Sequence, residues 1–227
     1  MSDKKIVIDK IKNLNDICMN KKSGLYKQWI YEKDGYMKMC NCMQKISYSL
    51  QDLNSEIDIL EDVKYKDIVF IISLVDWIKE AFDKIFSLIN DKIKNGFVFS
   101  KEIELQKRKQ FLRALRSFAV GHPLNTTEHK KFGFDGNFIC IDIRNKKDTL
   151  GLFDASHYYD LNYNGLFNIK SKYVDFYLYC YSEIDRMKYF RFIGCEFKDI
   201  YDVARLYIDK LYELNKYLST KKRKLEK

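Results

Sequence analysis

Residues 36–60, YMKMCNCMQKISYSLQDLNSEIDIL, decide the fold. Tyr36, Met39, Met43, Ile46, Leu50, Leu53, Ile57 and Leu60 follow one another at alternating steps of three and four. That period places them along one seam of a helix, much as in a coiled coil. No glycine or proline interrupts the run. The pattern returns at Ile68, Ile71, Val75, Ile78, Phe82, Ile85 and Ile89, and Asn95-Gly96 closes it. Two such helices joined by a few polar residues predict an antiparallel hairpin. Met39 and Met43 lie on the seam and read as packing, not as metal or cofactor ligands.

Working outward, residues 100–121 predict a third long helix. Ser100 is the expected N-cap, and Glu102 and Glu104 suit the positive end of the helix dipole. Gly121 and Pro123 are the expected stop. Between Glu104 and Glu128 there is no acidic residue, while Lys107, Arg108, Lys109, Arg113 and Arg116 all fall there. Phe111, Leu115 and Phe118 form an apolar stripe; Lys109, Arg113 and Arg116 repeat the same spacing on another side. His122 continues the apolar series, so a buried or helix-capping histidine is one expectation for it and a reactive one the other.

On the N-terminal side, residues 4–20 suggest a short helix with Val7, Ile11, Leu14 and Ile17 or Cys18 inward. Ser23-Gly24 and Asp34-Gly35 mark turns. After Pro123 the texture changes. Residues 138–143 (FICIDI) read as a strand with a hairpin partner at 150–153, and residues 173–181 as a second strand. The second strand carries Tyr173, Tyr177, Tyr179 and Tyr181. Such a row stacks nucleic-acid bases in some proteins, but large aromatics more often lie under a helix. A last helix spans 197–220, with Ile200, Val203, Tyr207, Leu211, Leu214 and Leu218 inward. The expected fold is mainly α (α+β): a long-helix antiparallel bundle with a small antiparallel β section and a C-terminal helix. Residues 1–125 would form the bundle and 126–227 the β-containing section with the last helix, packed as one compact unit.

The formal charge is +9, and it is polarised. Residues 91–131 carry a net +6 and residues 51–90 a net −5. The basic pole surrounds the helix at 100–121, and a cationic face attracts phosphates. Six cysteines are scattered, and Met-Ser-Asp-Lys-Lys is not a signal peptide, so reduced thiols and a cytoplasmic location are expected. Cys40-Asn-Cys42 lacks the spacing of a zinc knuckle, and no other metal or cofactor site is expected. The most apolar run, 68–78, is broken by Asp76, so no membrane-spanning helix is expected.

Arg116-Ser-Phe-Ala-Val-Gly-His122 fits the pattern R-x4–6-H with a polar residue after the arginine. At the end of a basic helix, after a long helical hairpin, it resembles the HEPN family of ribonucleases. The resemblance covers about residues 36–125. It implies metal-independent RNA cleavage, typically by two paired units, as in toxins and antiphage abortive-infection systems. His122 would then move the proton of the attacking 2′-hydroxyl or of the leaving oxygen, and Arg116 would hold the scissile phosphate. The residue types suit those roles by themselves: imidazole titrates near neutrality, and guanidinium stays charged and offers paired donors. Lys107, Arg108, Lys109 and Arg113 are the expected nucleic-acid contacts, with RNA and a homodimer or protein partner expected. The strand-rich section at 137–181 is no part of a minimal HEPN bundle. The competing reading is a module that binds nucleic acid or protein without catalysis, such as a phage or mobile-element inhibitor of a nucleic-acid machine. Asp142-Ile-Arg144 distantly resembles the D/E-x-K element of metal-dependent nucleases but lacks the lysine.

Overall fold

A computed structural model describes residues 7–18, 22–30, 36–93, 96–121, 138–145, 175–184 and 187–220. The described chain is mostly helical. Its helices are α1 (Asn15–Cys18), α2 (Gly24–Ile30), α3 (Tyr36–Glu56), α4 (Tyr65–Ile93), α5 (Glu102–Arg116) and α6 (Phe197–Thr220). Three strands, β1 (Phe138–Asn145), β2 (Phe176–Ile184) and β3 (Met187–Cys195), pair antiparallel in the order β1-β2-β3.

The seam residues of α3 and α4 are where the spacing puts them. Met39, Met43, Ile46, Leu50 and Leu53 are buried on α3, and every member of the series from Ile68 to Ile89 is buried on α4. A fully buried aliphatic side chain of this size contributes about 1.5–3 kcal/mol. The seam frays at its first residue, because Tyr36 is exposed. It also changes geometry near its end. The α-helix stops at Glu56, and Ile57–Asp62 form a tighter 3-10 helix that still buries Leu60. Glu56, Asp58, Glu61 and Asp62 crowd acid onto the negative end of the helix dipole, which disfavours another α turn.

The chain divides into two compact units. One comprises residues 1–8, 56–73 and 106–202; the other comprises 9–55, 74–105 and 203–227. Compactness follows from which helix segments are neighbours, not from chain order.

In the second unit, Lys45 on α3 sits 3.4 Å above the Trp77 ring on α4. Lys84, further along α4, acts on Cys42, further back along α3, so the two helices run in opposite directions there. Burial raises the Cys42 thiol above its ordinary pKa, and Lys84 partly offsets this. Phe82 packs against Tyr207 of α6, and Phe97 against Tyr217. The same interior holds charge. Lys210 is buried, 2.7 Å from Glu102 and within 5.7 Å of the ring centres of Phe82, Phe86 and Phe99. Lys79, also buried, pairs with Glu80 and with Asp83 at 3.2 Å. The Tyr207 hydroxyl is buried with no hydrogen-bond partner among the described residues.

One expectation near the N-terminus is corrected here. No helix spans 4–20: residues 7–14 are irregular, and among the described residues of that stretch only Asn15–Cys18 is helical. Val7 is exposed while Ile8, Ile11, Leu14 and Ile17 are buried, a step of three that an α-helix does not keep on one face. Asn13 Oδ1 accepts the Asn15 N–H at 3.1 Å and turns the chain into α1. Ser23-Gly24 punctuates the chain at the start of α2. Ser23 caps α2, its Oγ accepting the Tyr26 N–H at 3.2 Å.

In the first unit, Asp175 ties the sheet to α6. Its N–H donates to the Cys195 carbonyl, and its carboxylate accepts the Phe197 N–H at 2.8 Å. Phe176 and Phe197 are buried with ring centres 5.2 Å apart. β1 pairs with β2 in a register that sets Cys140 opposite Tyr181 and Arg144 opposite Tyr177. The hairpin partner expected at 150–153, and Tyr173, lie outside the described residues. β3 was not anticipated: residues 187–195 mix Lys, Arg and Gly with aromatics and lack clean alternation.

Candidate nucleic-acid interface

The basic face belongs to α5. Its apolar side is buried through Phe111, Leu112, Ala114 and Leu115, as the stripe requires. With that side fixed inward, the cationic residues are turned outward. Lys107, Arg113 and Arg116 are exposed, and Arg108 and Lys109 are half-buried. Lys109, Arg113 and Arg116 lie on neighbouring turns, about 6 and about 4.5 Å apart along the axis. Lys109 and Arg116 also take part in interactions within the chain.

Arg108 is set apart from the others. Its Nη1 donates to Asp199 Oδ1, and its Nη2 lies 3.8 Å from Asp202 Oδ2, both on α6. Lys198 competes for Asp202 at 2.7 Å. Arg108 therefore serves first to fasten α5 to α6, and its charge is largely neutralised before a phosphate arrives. No local pattern reveals this, since Asp199 is 91 residues away in sequence.

The start and end of the helix also differ from expectation. Ser100 does not cap it. Its N–H and hydroxyl both donate to Glu213, and the α-helix begins at Glu102. Glu102 is engaged by Lys210, which leaves Glu104 as the exposed acid of the first turn. At the other end the α geometry stops at Arg116, and Ser117–Gly121 form a π-turn. Arg116 is thus the last α residue, just before a backbone irregularity of the kind common at functional sites. Within the π-turn Ser117 and Ala119 are buried and Val120 is exposed, and the turn lies beside β1. His122 and Pro123 lie outside the described residues, as do the side chains of Phe118, Asp142 and Arg144.

Among the described residues, no group of three His, Cys, Asp or Glu side chains is arranged to hold a metal ion. No described helix is long and apolar enough to cross a membrane. The arrangement offers a row of cations, Arg113 and Arg116 exposed and Lys109 half-buried, anchored from beneath by buried aliphatic and aromatic side chains, with the acids of the helix at its far end. Such a row can neutralise successive phosphates of a nucleic-acid strand. No protein-family model, curated protein or solved structure matches the chain.

Proposed function

We propose that the protein binds RNA along the cationic face of α5, and that Arg116 with His122 makes it a metal-independent RNA endonuclease of HEPN type, in the toxin or abortive-infection class. The observation that carries the binding step is the exposure of Arg113 and Arg116, with half-buried Lys109 on the same side and Lys107 exposed on another, on a helix whose apolar side is buried. The cleavage step is supported by the placing of Arg116: exposed, at the α-to-π junction, six positions before His122. On this reading the chain is a long-helix antiparallel bundle with a small antiparallel β section and a C-terminal helix, working in the cytoplasm. Two copies would bring two Arg/His sets to one phosphate.

The chemistry asks little of each group. The 2′-oxygen attacks the adjacent phosphorus, the bond to the 5′-oxygen breaks, and a cyclic phosphate and a 5′-hydroxyl result. His122 serves as general base towards the 2′-hydroxyl or as general acid towards the leaving oxygen, and the second copy's histidine serves in the other role. Arg116 holds the phosphate and stabilises the charge that builds on its oxygens.

The second reading is a module that grips nucleic acid, or an acidic protein surface, without cutting. It rests on the same face and dispenses with His122. Incubation of purified protein with total RNA in EDTA, wild type beside His122→Ala, separates the two. Degradation by the wild type alone supports the nuclease. Intact RNA in both, with RNA still bound, assigns the protein to the binding class. Equal degradation in both removes His122 from the reaction.

A further inference from the structure

Residues 9–13 have no regular secondary structure, yet their main chain is fastened at alternate residues. Arg205 Nη2 donates to the Asp9 carbonyl at 3.0 Å, Asn54 Nδ2 to the Ile11 carbonyl at 2.9 Å, and Tyr212 Oη to the Asn13 carbonyl at 2.6 Å. Asn54 Oδ1 also accepts the Ile11 N–H at 2.8 Å. One side-chain amide therefore takes both main-chain groups of one residue, as a neighbouring β-strand would.

The spacing of the donors shows the form of the chain they hold. Arg205 and Tyr212 are seven residues apart on α6, about 10.5 Å along its axis. Four residues of strand span about 13 Å, whereas four residues of helix span about 6 Å. Carbonyls at residues 9, 11 and 13 share one edge only in a chain of period near two. The segment is thus outstretched, and its aliphatic side chains are sunk: Ile11 and Leu14 are buried, while Asp9, Lys10, Lys12 and Asn13 are exposed. Lys12 rests its ammonium 4.2 Å above the Tyr212 ring.

These four hydrogen bonds go to main-chain atoms, which every peptide presents. What the helices select is an outstretched backbone with aliphatic residues three apart. This is how a peptide-binding groove recognises its ligand, with backbone bonds for affinity and apolar pockets for specificity. We propose that the face of α3 and α6 carrying Asn54, Arg205 and Tyr212 is a peptide-binding site, that residues 9–14 fill it in cis, and that its partner is an extended peptide with two aliphatic residues three apart. The partner takes the place of the chain's own segment, against an effective concentration on the order of millimolar. The proposal goes beyond nucleic-acid binding and does not depend on it.

The test uses the full chain carrying Ile11→Glu and Leu14→Glu, which frees the site, and a fluorescent peptide of residues 7–18. Saturable binding is expected, weakened about tenfold or more when Asn54→Leu is added. Failure to bind while the chain keeps its helical spectrum and cooperative melt would overturn the proposal, and so would equal binding without Asn54. Loss of the cooperative melt in the doubly substituted chain would make the segment part of the core and also overturn it. In the wild type, the Ile11 amide should exchange its hydrogen through a local opening, at lower free energy than the amides of α3 and α6. Exchange only by global unfolding would count against a displaceable segment.

Discussion

Arg108 on α5 donates a hydrogen bond to Asp199 on α6, while Lys107, its immediate neighbour, faces solvent. Two cations adjacent in sequence therefore do different work. Arg108→Ala leaves Asp199 and Asp202 half-buried with a partner removed, and should cost about 1–2 kcal/mol, between an exposed pair and a buried one. Thermal melting reads this as a lower Tm, and Asp199→Asn should lower it similarly. RNA affinity should fall less in Arg108→Ala than in Arg113→Ala.

The exposed cations should show themselves in the salt dependence of binding. For single-stranded RNA, each phosphate contact contributes about 0.7 to the slope of log K against log salt. Lys107→Ala and Arg113→Ala should each lower the slope by about that amount in anisotropy titrations, with melting unchanged. Slopes equal to wild type would remove this face from the interface.

Gly24 has no room for a side chain. A β-carbon there would stand 2.4 Å from the Ser219 nitrogen, 2.5 Å from the Asn215 carbonyl oxygen and 2.7 Å from the Leu218 carbonyl carbon. The approach is held by Asn215 Oδ1, which accepts from the Ser23 hydroxyl at 2.7 Å and from the Leu25 N–H at 3.0 Å. Alanine usually improves a helix by up to about 1 kcal/mol over glycine. Here Gly24→Ala should instead destabilise by about 2–3 kcal/mol, because main-chain atoms must move. Chemical denaturation measures the sign, and a stabilised variant would refute the close contact.

Alkaline pH should destabilise the fold. Burial pushes Tyr201 and Tyr207 well above the ordinary phenol value, with Glu56 adding to the first and Asp83, Glu102, Glu80 and Asp76 to the second. Lys79 is also raised: burial lowers it, but Glu80 and Asp83 together outweigh that. All three groups hold a proton in the folded chain that the unfolded chain releases above about pH 10. Their contribution is therefore complete below that pH and is lost as pH climbs towards the folded values. Melting temperature should fall steeply above about pH 10, and less steeply in Tyr207→Phe. At neutral pH Tyr207→Phe should be as stable as wild type or more so, since the hydroxyl it removes has no partner among the described residues.

Much of the helical framework was legible in the chain itself. The seams of α3 and α4 and the inward face of α6 follow from a period of three and four, which depends on neighbours within a turn or two. The outward row on α5 was legible for the same reason. The N-terminal segment was not: Val7, Ile11, Leu14 and Ile17 are spaced as on a helix, but Asn54, Arg205 and Tyr212 hold residues 9–13 outstretched from far along the chain. Within the candidate interface, the composition marked the basic helix but not the separate duty of Arg108.

Periodicity alone thus determined which stretches are helical and which of their sides are buried, because both depend on local geometry and the aversion of aliphatic groups to water. Tertiary structure alone decided that Ser100 binds Glu213 instead of capping α5, that Gly24 must lack a side chain, and that Arg108 is fastened to α6. Each of those outcomes depends on a partner between 91 and 195 residues away, and only the folded chain brings such partners together.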